Sequence, residues 1–405
     1  MSLLHKLLRV NSVILLFVGC AGAAILNVGP GQEYQRPCLA IAAAADGDTI
    51  QIDAAGSYSG DACGWTKHGL TIRGVNGRPQ IESGGKNADG KAIWVIYGDN
   101  TTIENVELTG AAVPDHNGAG IRQHGANLTL RNCYIHDNEE GILAGNSEHS
   151  EILIENTEFA NNGYSDGRSH NIYIGRIAKF TLKFSYSHDA ISGHLVKSRA
   201  LQTSILYNRL TGEAGTASYQ IDLPNGGVAF VVGNVVEKGP LSENPSVVSY
   251  GREGLTIPDS QLYFVNNTVV NHRLRQGPFI SMAVGGTPAV VENNIFSGGM
   301  DVIDQPNAKL SQNLVGSSLF VDEGNFDYHL QSGSPARDFG VTPESVNGFP
   351  LTPVYQYVHP ACFEVRQTTG AAIDAGAFEF DGGGGADSSC FGASLSAPPT
   401  AFISP

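Results

Sequence analysis

Charge is scarce in this chain. Only 16% of its 405 residues are charged, and 24 Lys and Arg face 39 Asp and Glu, a formal net charge of −15. Such a deficit of cations argues against a general nucleic-acid or anionic-membrane surface. There are only 3 Met, and no apolar run is long enough for a comfortable transmembrane helix. The 6 Cys show no zinc-ligand spacing, and no nucleotide or haem motif is recognisable. Glycine, by contrast, is abundant at 50 residues. With so few charges, this suits strands joined by tight corners rather than long helices.

An asparagine recurs after a short β-rich run: Asn105, Asn132, Asn156, Asn208, Asn234, Asn267, Asn294 and Asn313, with Ser185 holding the phase between Asn156 and Asn208. Units of this length, repeated many times, read as stacked coils. Each is too short for a βαβ crossover and too regular for a sandwich. The expected fold is all-β: a single-stranded right-handed parallel β-helix (solenoid) with an N-terminal capping helix. Asn side chains at one turn of successive coils would form an internal hydrogen-bonded ladder.

The ends carry their own signals. Lys6 and Arg9 precede Val13-Ile14-Leu15-Leu16-Phe17-Val18 and then small residues, so residues 1–24 read as a signal peptide. Phe17-Val18-Gly19-Cys20 resembles a lipobox, which leaves a lipid-anchored form at the outer membrane or cell surface beside a secreted or periplasmic one. In an oxidising compartment Cys38–Cys63 and Cys362–Cys390 would close the two ends of the solenoid. Cys133 reads as a small packed residue. Pro37 to Ala45 reads as a short helix capping the first coil. Residues 25–380 form the expected β-helix domain, monomeric, and 381–405 a Gly/Ser/Pro-rich tail.

DGDTIQI, GSYSG (56–60) and GLTIRG (69–74) resemble the start of secreted right-handed β-helix proteins of the pectate-lyase-like superfamily. GSPARDFG (333–340) and IDAGAFEF (373–380) look like their closing segments. The resemblance implies the architecture; one scaffold hosts lyases, hydrolases, epimerases and adhesins.

A second strand series precedes the Asn turns. Stacking it puts Ile121, Ile142, Ile172, Val196, Ile221, Val248 and Ile280 inward. Arg122, Leu143, Tyr173, Lys197, Asp222, Ser249 and Ser281 then point outward, about 4.8 Å apart from coil to coil. Two residues further lie His124, Arg199 and Pro224. The candidate catalytic residues are therefore Lys197, Arg199, Tyr173, His194 and Asp222. Candidate substrate contacts are Arg122, His124, His170, Asn171, Gln220 and Asn225. GHLVKSR (193–199) also resembles the Lys-Ser strand of the alginate lyase and chondroitinase B family, which implies Lys197 as base, followed by Ser198. That family's next coil carries Arg-His, where this chain has Ile221-Asp222-Leu223-Pro224.

These residues suggest β-elimination on a uronic-acid polysaccharide. A cation or a Ca²⁺ held by Asp222 would neutralise the sugar carboxylate, Lys197 would take the C5 proton, and Tyr173 or His194 would protonate the leaving oxygen. Two alternatives stand beside this lyase. A glycoside hydrolase would pair Asp222 with Glu213 or Asp189. A non-catalytic carbohydrate-binding or surface protein would need neither arrangement.

Overall fold

The computed structural model describes residues 22–299, 301–316 and 320–382. Residues 1–21 of the expected signal peptide, with Cys20, lie outside the described residues, as do Cys390 and with it the expected pairing to Cys362. Strands repeat in a fixed order and stack in parallel, making a β-solenoid. Sheet A has twelve described strands, from Ile25–Val28 to Lys309–Ser311; sheet B has nine, from Cys63–Trp65 to Ile280–Met282. Sheet C has ten, from Gln80–Glu82 to Leu314–Val315. The helix Pro37–Ala43 caps the first coil, burying Ala40 and Ile41. Cys38 and Cys63 form a disulfide that ties this cap to sheet B.

From the strand Thr101–Glu104 onward a sharp two-residue corner joins each sheet A strand to the following sheet C strand, and here the recurring asparagine divides into two rows. The first corner residue is left-handed: Asn105, Asn132, Asn156, Phe184, Tyr207, Gly233, Asn266 and Asn293 all have φ between 49° and 68°. Asn and Gly tolerate this region best. The second corner residue points into the core. Asn208, Asn234, Asn267 and Asn294 are fully buried, and each donates Nδ2–H to the Oδ1 of the next at 2.9–3.0 Å, ending on Asn313. Asn105, Asn132 and Asn156 thus belong to the left-handed row, one residue ahead of the internal ladder. The single series splits after Asn156, where Thr157 and Ser185 continue the internal row with hydroxyls. A second internal ladder, Asn138–Asn162–Asn171, runs at the corner leaving sheet C.

The sheets differ in what covers them. On sheet A, Arg73, Glu104, Arg131, Glu155 and Lys183 form a ladder of ion pairs, the closest at 2.6–2.8 Å. Further on the outer residues turn apolar. Phe184, Tyr207 and Phe230 pack under Leu351, Phe349, Tyr355 and Phe363 of a C-terminal segment. That packing supports two bulky residues, Phe184 and Tyr207, in left-handed backbone. Residues 320–380 therefore add no further coil; they run along the outside. IDAGAFEF bonds to the corners through Gly376 N–H to Asn293 O (2.7 Å) and Ala377 N–H to Thr268 Oγ1 (3.0 Å). Behind it, the buried Arg366 bonds Glu379 at 2.9 Å.

Sheet C carries His188 between two carboxylates, Nδ1 at 2.7 Å from Asp189 and Nε2 at 3.3 Å from Glu158. Burial opposes its charging, but these two contacts outweigh it and raise the imidazole pKa from 6.5 to about 9.

Two stability measurements check this account. Asn267→Ala strands buried partners on both neighbouring coils and is expected to cost about 3 kcal/mol or more. Asn156→Gly keeps the left-handed corner and should cost about 1 kcal/mol or less. Equal costs in denaturant titrations would contradict the two-row assignment. His188 contributes about 3 kcal/mol through its raised pKa. Because the folded value exceeds the unfolded one, this stabilisation is complete below about pH 6.5 and disappears as pH rises through about 9. The stability difference between wild type and His188→Gln should shrink across that window.

Candidate active site

The outward row of sheet B is set by strand register. Arg122 lies beside Leu143, Leu143 beside Tyr173, Tyr173 beside Lys197, Lys197 beside Asp222, and Asp222 beside Ser249, then Ser281. Ile121, Ile142, Ile172, Val196, Ile221, Val248 and Ile280 are fully buried beneath. The alternation of strand side chains therefore puts one phenol, one ammonium and one carboxylate on three successive coils.

Their contacts define the chemistry. Lys197 Nζ lies 3.2 Å from Asp222 Oδ2 and 3.2 Å from Glu253 Oε1. Arg199 reaches three groups: Nη2 meets Glu253 Oε2 at 2.7 Å, Nε donates to the Tyr173 oxygen at 3.0 Å, and Nη1 donates to Asn225 Oδ1. The Tyr173 ring also lies near both cations, 6.0 Å from Lys197 Nζ and 5.9 Å from Arg199 Cζ. Burial raises the pKa of Asp222, partly offset by Lys197 and Ser249. Burial also acts to raise Glu253, but Arg199 and Lys197 overcome it and hold its carboxyl below the usual range.

Arg122 stands apart. It is half-buried, its Nε is inaccessible to solvent, and it makes no hydrogen bond or ion pair among the described residues. Burial lowers its pKa. Beside it His124 stacks on Tyr97 with ring centres 5.1 Å apart, its pKa lowered by burial and then by Arg122.

Several expected site residues lie inside the wall instead. His170 is buried, and its Nδ1 accepts the His194 backbone N–H at 3.0 Å. Burial pushes its pKa well below the ordinary value. Asn171 belongs to the second internal ladder. Gln220 is fully buried and accepts from Lys238 Nζ at 3.2 Å. None of the three is exposed to touch a polymer. His194 points inward, as the strand register requires: it is buried, Nδ1 accepts the Tyr219 N–H at 3.1 Å, and Nε2 faces Asp222 at 3.4 Å. Burial, then Lys197 and Lys238, push its pKa down to about 3.

The other carboxylates weighed against Asp222 sit elsewhere. Glu213 accepts from Tyr186, Arg209 and Thr211, and Asp189 from Gly215 and His188, both by sheet C. Neither joins Asp222. The carboxylate that does come near, Glu253, follows the sheet B strand Val248–Tyr250 by three residues. Sequence reasoning missed it because a turn, not a strand, brings it back across two coils. Asp222 fits Ca²⁺ poorly. It offers one carboxylate already bonded by Lys197 and His194, whereas the ion takes six to eight oxygens. Elsewhere, a concavity of about 530 Å³ on sheet A is floored by Thr102, Thr129, Leu153 and Thr181. His149, Glu151 and Lys179 also line it, but no ion pair joins them among the described residues.

The family described as "Right handed beta helix region" matches residues 63–236. No curated protein sequence matches the chain. The solved structure of pectate lyase Pel9A aligns over 90% of this chain and 98% of that one, at 15% identity and a TM-score of 0.56. An alginate lyase from Paenibacillus sp. str. FPU-7 aligns over 73% of this chain and 99% of that one, at 16% identity and a TM-score of 0.39. No described helix is long and apolar enough to cross a membrane. The coil order, the matched repeat region and the likeness to Pel9A together identify the fold as a right-handed parallel β-helix of the pectate-lyase-like type.

Proposed function

We propose that this protein cleaves a uronate-containing polysaccharide by β-elimination on the outer face of sheet B. One observation carries the reading: a half-buried guanidinium with no hydrogen bond or ion pair among the described residues, a phenol, an ammonium and a carboxylate share one outward row. From Arg122 to Asp222 it spans about 19 Å, a length suited to several sugar units of a polymer. The likeness to Pel9A, a pectate lyase by name, supports the same substrate class. The Cys38–Cys63 disulfide accords with an oxidising compartment outside the cytosol.

The residues divide the chemistry among them. Arg122 or Arg199 neutralises the sugar carboxylate, which makes the adjacent C5–H more acidic. Lys197 takes that proton. The C–H electron pair forms the C4–C5 double bond as the bond from C4 to the leaving oxygen breaks. Tyr173 supplies the leaving oxygen with its proton. Its phenol oxygen already accepts from Arg199 Nε, so its own hydrogen is free to point outward. In the structure Lys197 is arranged as a donor to two carboxylates; to act as base it must first release a proton to solvent and enter the step as the neutral amine. Asp222 and His194 hold the lysine in place.

A hydrolase is the second reading. Asp222 and Glu253 flank one nitrogen, each 3.2 Å from it, so two carboxylates share one site, as a glycosidase requires.

Alginate, pectate, chondroitin and heparan incubated with the purified protein distinguish these readings. Elimination raises ultraviolet absorbance through the new double bond, and Lys197→Ala should lower that rate by a factor of about 10² to 10⁴. Full activity in Lys197→Ala would refute the base assignment. New reducing ends without absorbance would establish hydrolysis, and neither signal, with binding retained, would indicate a carbohydrate-binding protein.

A further inference from the structure

Glu253 occupies an unusual place for a supporting residue. Its two carboxylate oxygens divide between the site's paired cations, Oε1 on Lys197 and Oε2 on Arg199. Its side chain is 49% exposed, whereas that of Asp222, on the same lysine, is 5% exposed. Asp222 therefore lies beneath the ammonium and Glu253 on its solvent side. Asp222 also faces His194, while among the described residues the Glu253 carboxylate contacts the two cations alone.

The backbone around it is a tight turn. Gly251 and Gly254 have φ of 71° and 107°, a region that glycine enters without the cost of a Cβ. Glu253 N–H donates to Pro224 O at 3.0 Å, and Gly254 N–H to Gly251 O at 2.9 Å. The main chain is thus anchored while the long side chain is free to swing into water.

We propose that Glu253 is a displaceable stand-in for the substrate's own carboxylate and sets the protein's preference for acidic sugars. In the free protein it neutralises Lys197 and Arg199. A uronate carboxylate arriving from solvent takes over the two-point contact, and Glu253 rotates outward. Exchanging one carboxylate for another preserves the charge balance, whereas a neutral sugar offers nothing to replace the lost ion pairs. The inference deepens the lyase reading and rests on it for the place where the sugar sits.

The test is calorimetric binding of oligogalacturonate, oligomannuronate and the methyl ester of the former to the full chain. Tyr173→Phe serves as the background to limit turnover, with and without Glu253→Gln. Removing the competing carboxylate should tighten binding of the acidic oligomer that responds by about tenfold, because the free site no longer has to release its own ligand. Binding of the methyl ester should not change. Glu253→Ser, which cannot reach either cation, should shift affinity in the same direction, and thermal unfolding checks that both variants are folded. Unchanged or weaker binding of the acidic oligomers in both variants overturns the proposal. Tighter binding without any double-bond formation by the Tyr173-containing protein would uphold the exchange and defeat the lyase reading. Reducing-end release without ultraviolet absorbance in the wild type, abolished by Glu253→Gln, would make Glu253 a hydrolytic acid and overturn the stand-in role.

Discussion

The buried corner amides hold the structure in register. Asn234, Asn267 and Asn294 each bond the backbone of their own corner and the amide of the next coil. A slip of one residue would leave several polar groups unpaired in a dry core, at a cost far above that of a weak surface contact. It would also turn every inward isoleucine of sheet B outward. The ladder performs no chemistry, but it fixes which side chains of neighbouring coils stand side by side. Tyr173, Lys197 and Asp222 are neighbours because this register admits no other arrangement.

The sheets use their outer faces differently for physical reasons that can be named. Sheet A begins with alternating charges that satisfy one another, then becomes apolar and is covered by the C-terminal segment. Sheet C places His188 and Arg209 among carboxylates and aromatic rings, where both cations have partners. Sheet B differs in giving Arg122 no hydrogen bond or ion pair among the described residues, only the field of the buried Glu140, and in balancing Lys197 and Arg199 partly with a half-exposed glutamate. A half-buried guanidinium without a direct contact and a solvent-side carboxylate are poor choices for stability alone, since desolvation and weak screening-prone pairing return little. They are what a surface needs to receive an anionic polymer.

Much of this was legible in the residues. The outward row from Arg122 to Ser281 follows from period-two alternation once the coil phase is known, and the Cys38–Cys63 bond follows from the place of the cap. The asparagine series marked every corner, yet it merged two rows that differ by one residue. Left-handed and buried positions both favour Asn, one for backbone tolerance and the other for its paired donor and acceptor. His170, Asn171 and Gln220 misled for a related reason: polar side chains beside an outward strand were read as facing the polymer, whereas internal ladders and the Lys238 ammonium claim them. Glu253 was hidden because loop geometry, which has no period, decides where it lands.

The central claim is that a polymer lies along the outward row of sheet B with a carboxylate on Arg199. A crystal structure of the Lys197→Ala variant soaked with an oligomer of the polysaccharide that responds tests it most directly. The account predicts sugar rings running across the coils from Arg122 toward Asp222, one carboxylate bonded to Arg199, and the Glu253 side chain turned to solvent. Sugar bound in the sheet A concavity, or along sheet B with Glu253 still on Arg199, would contradict it.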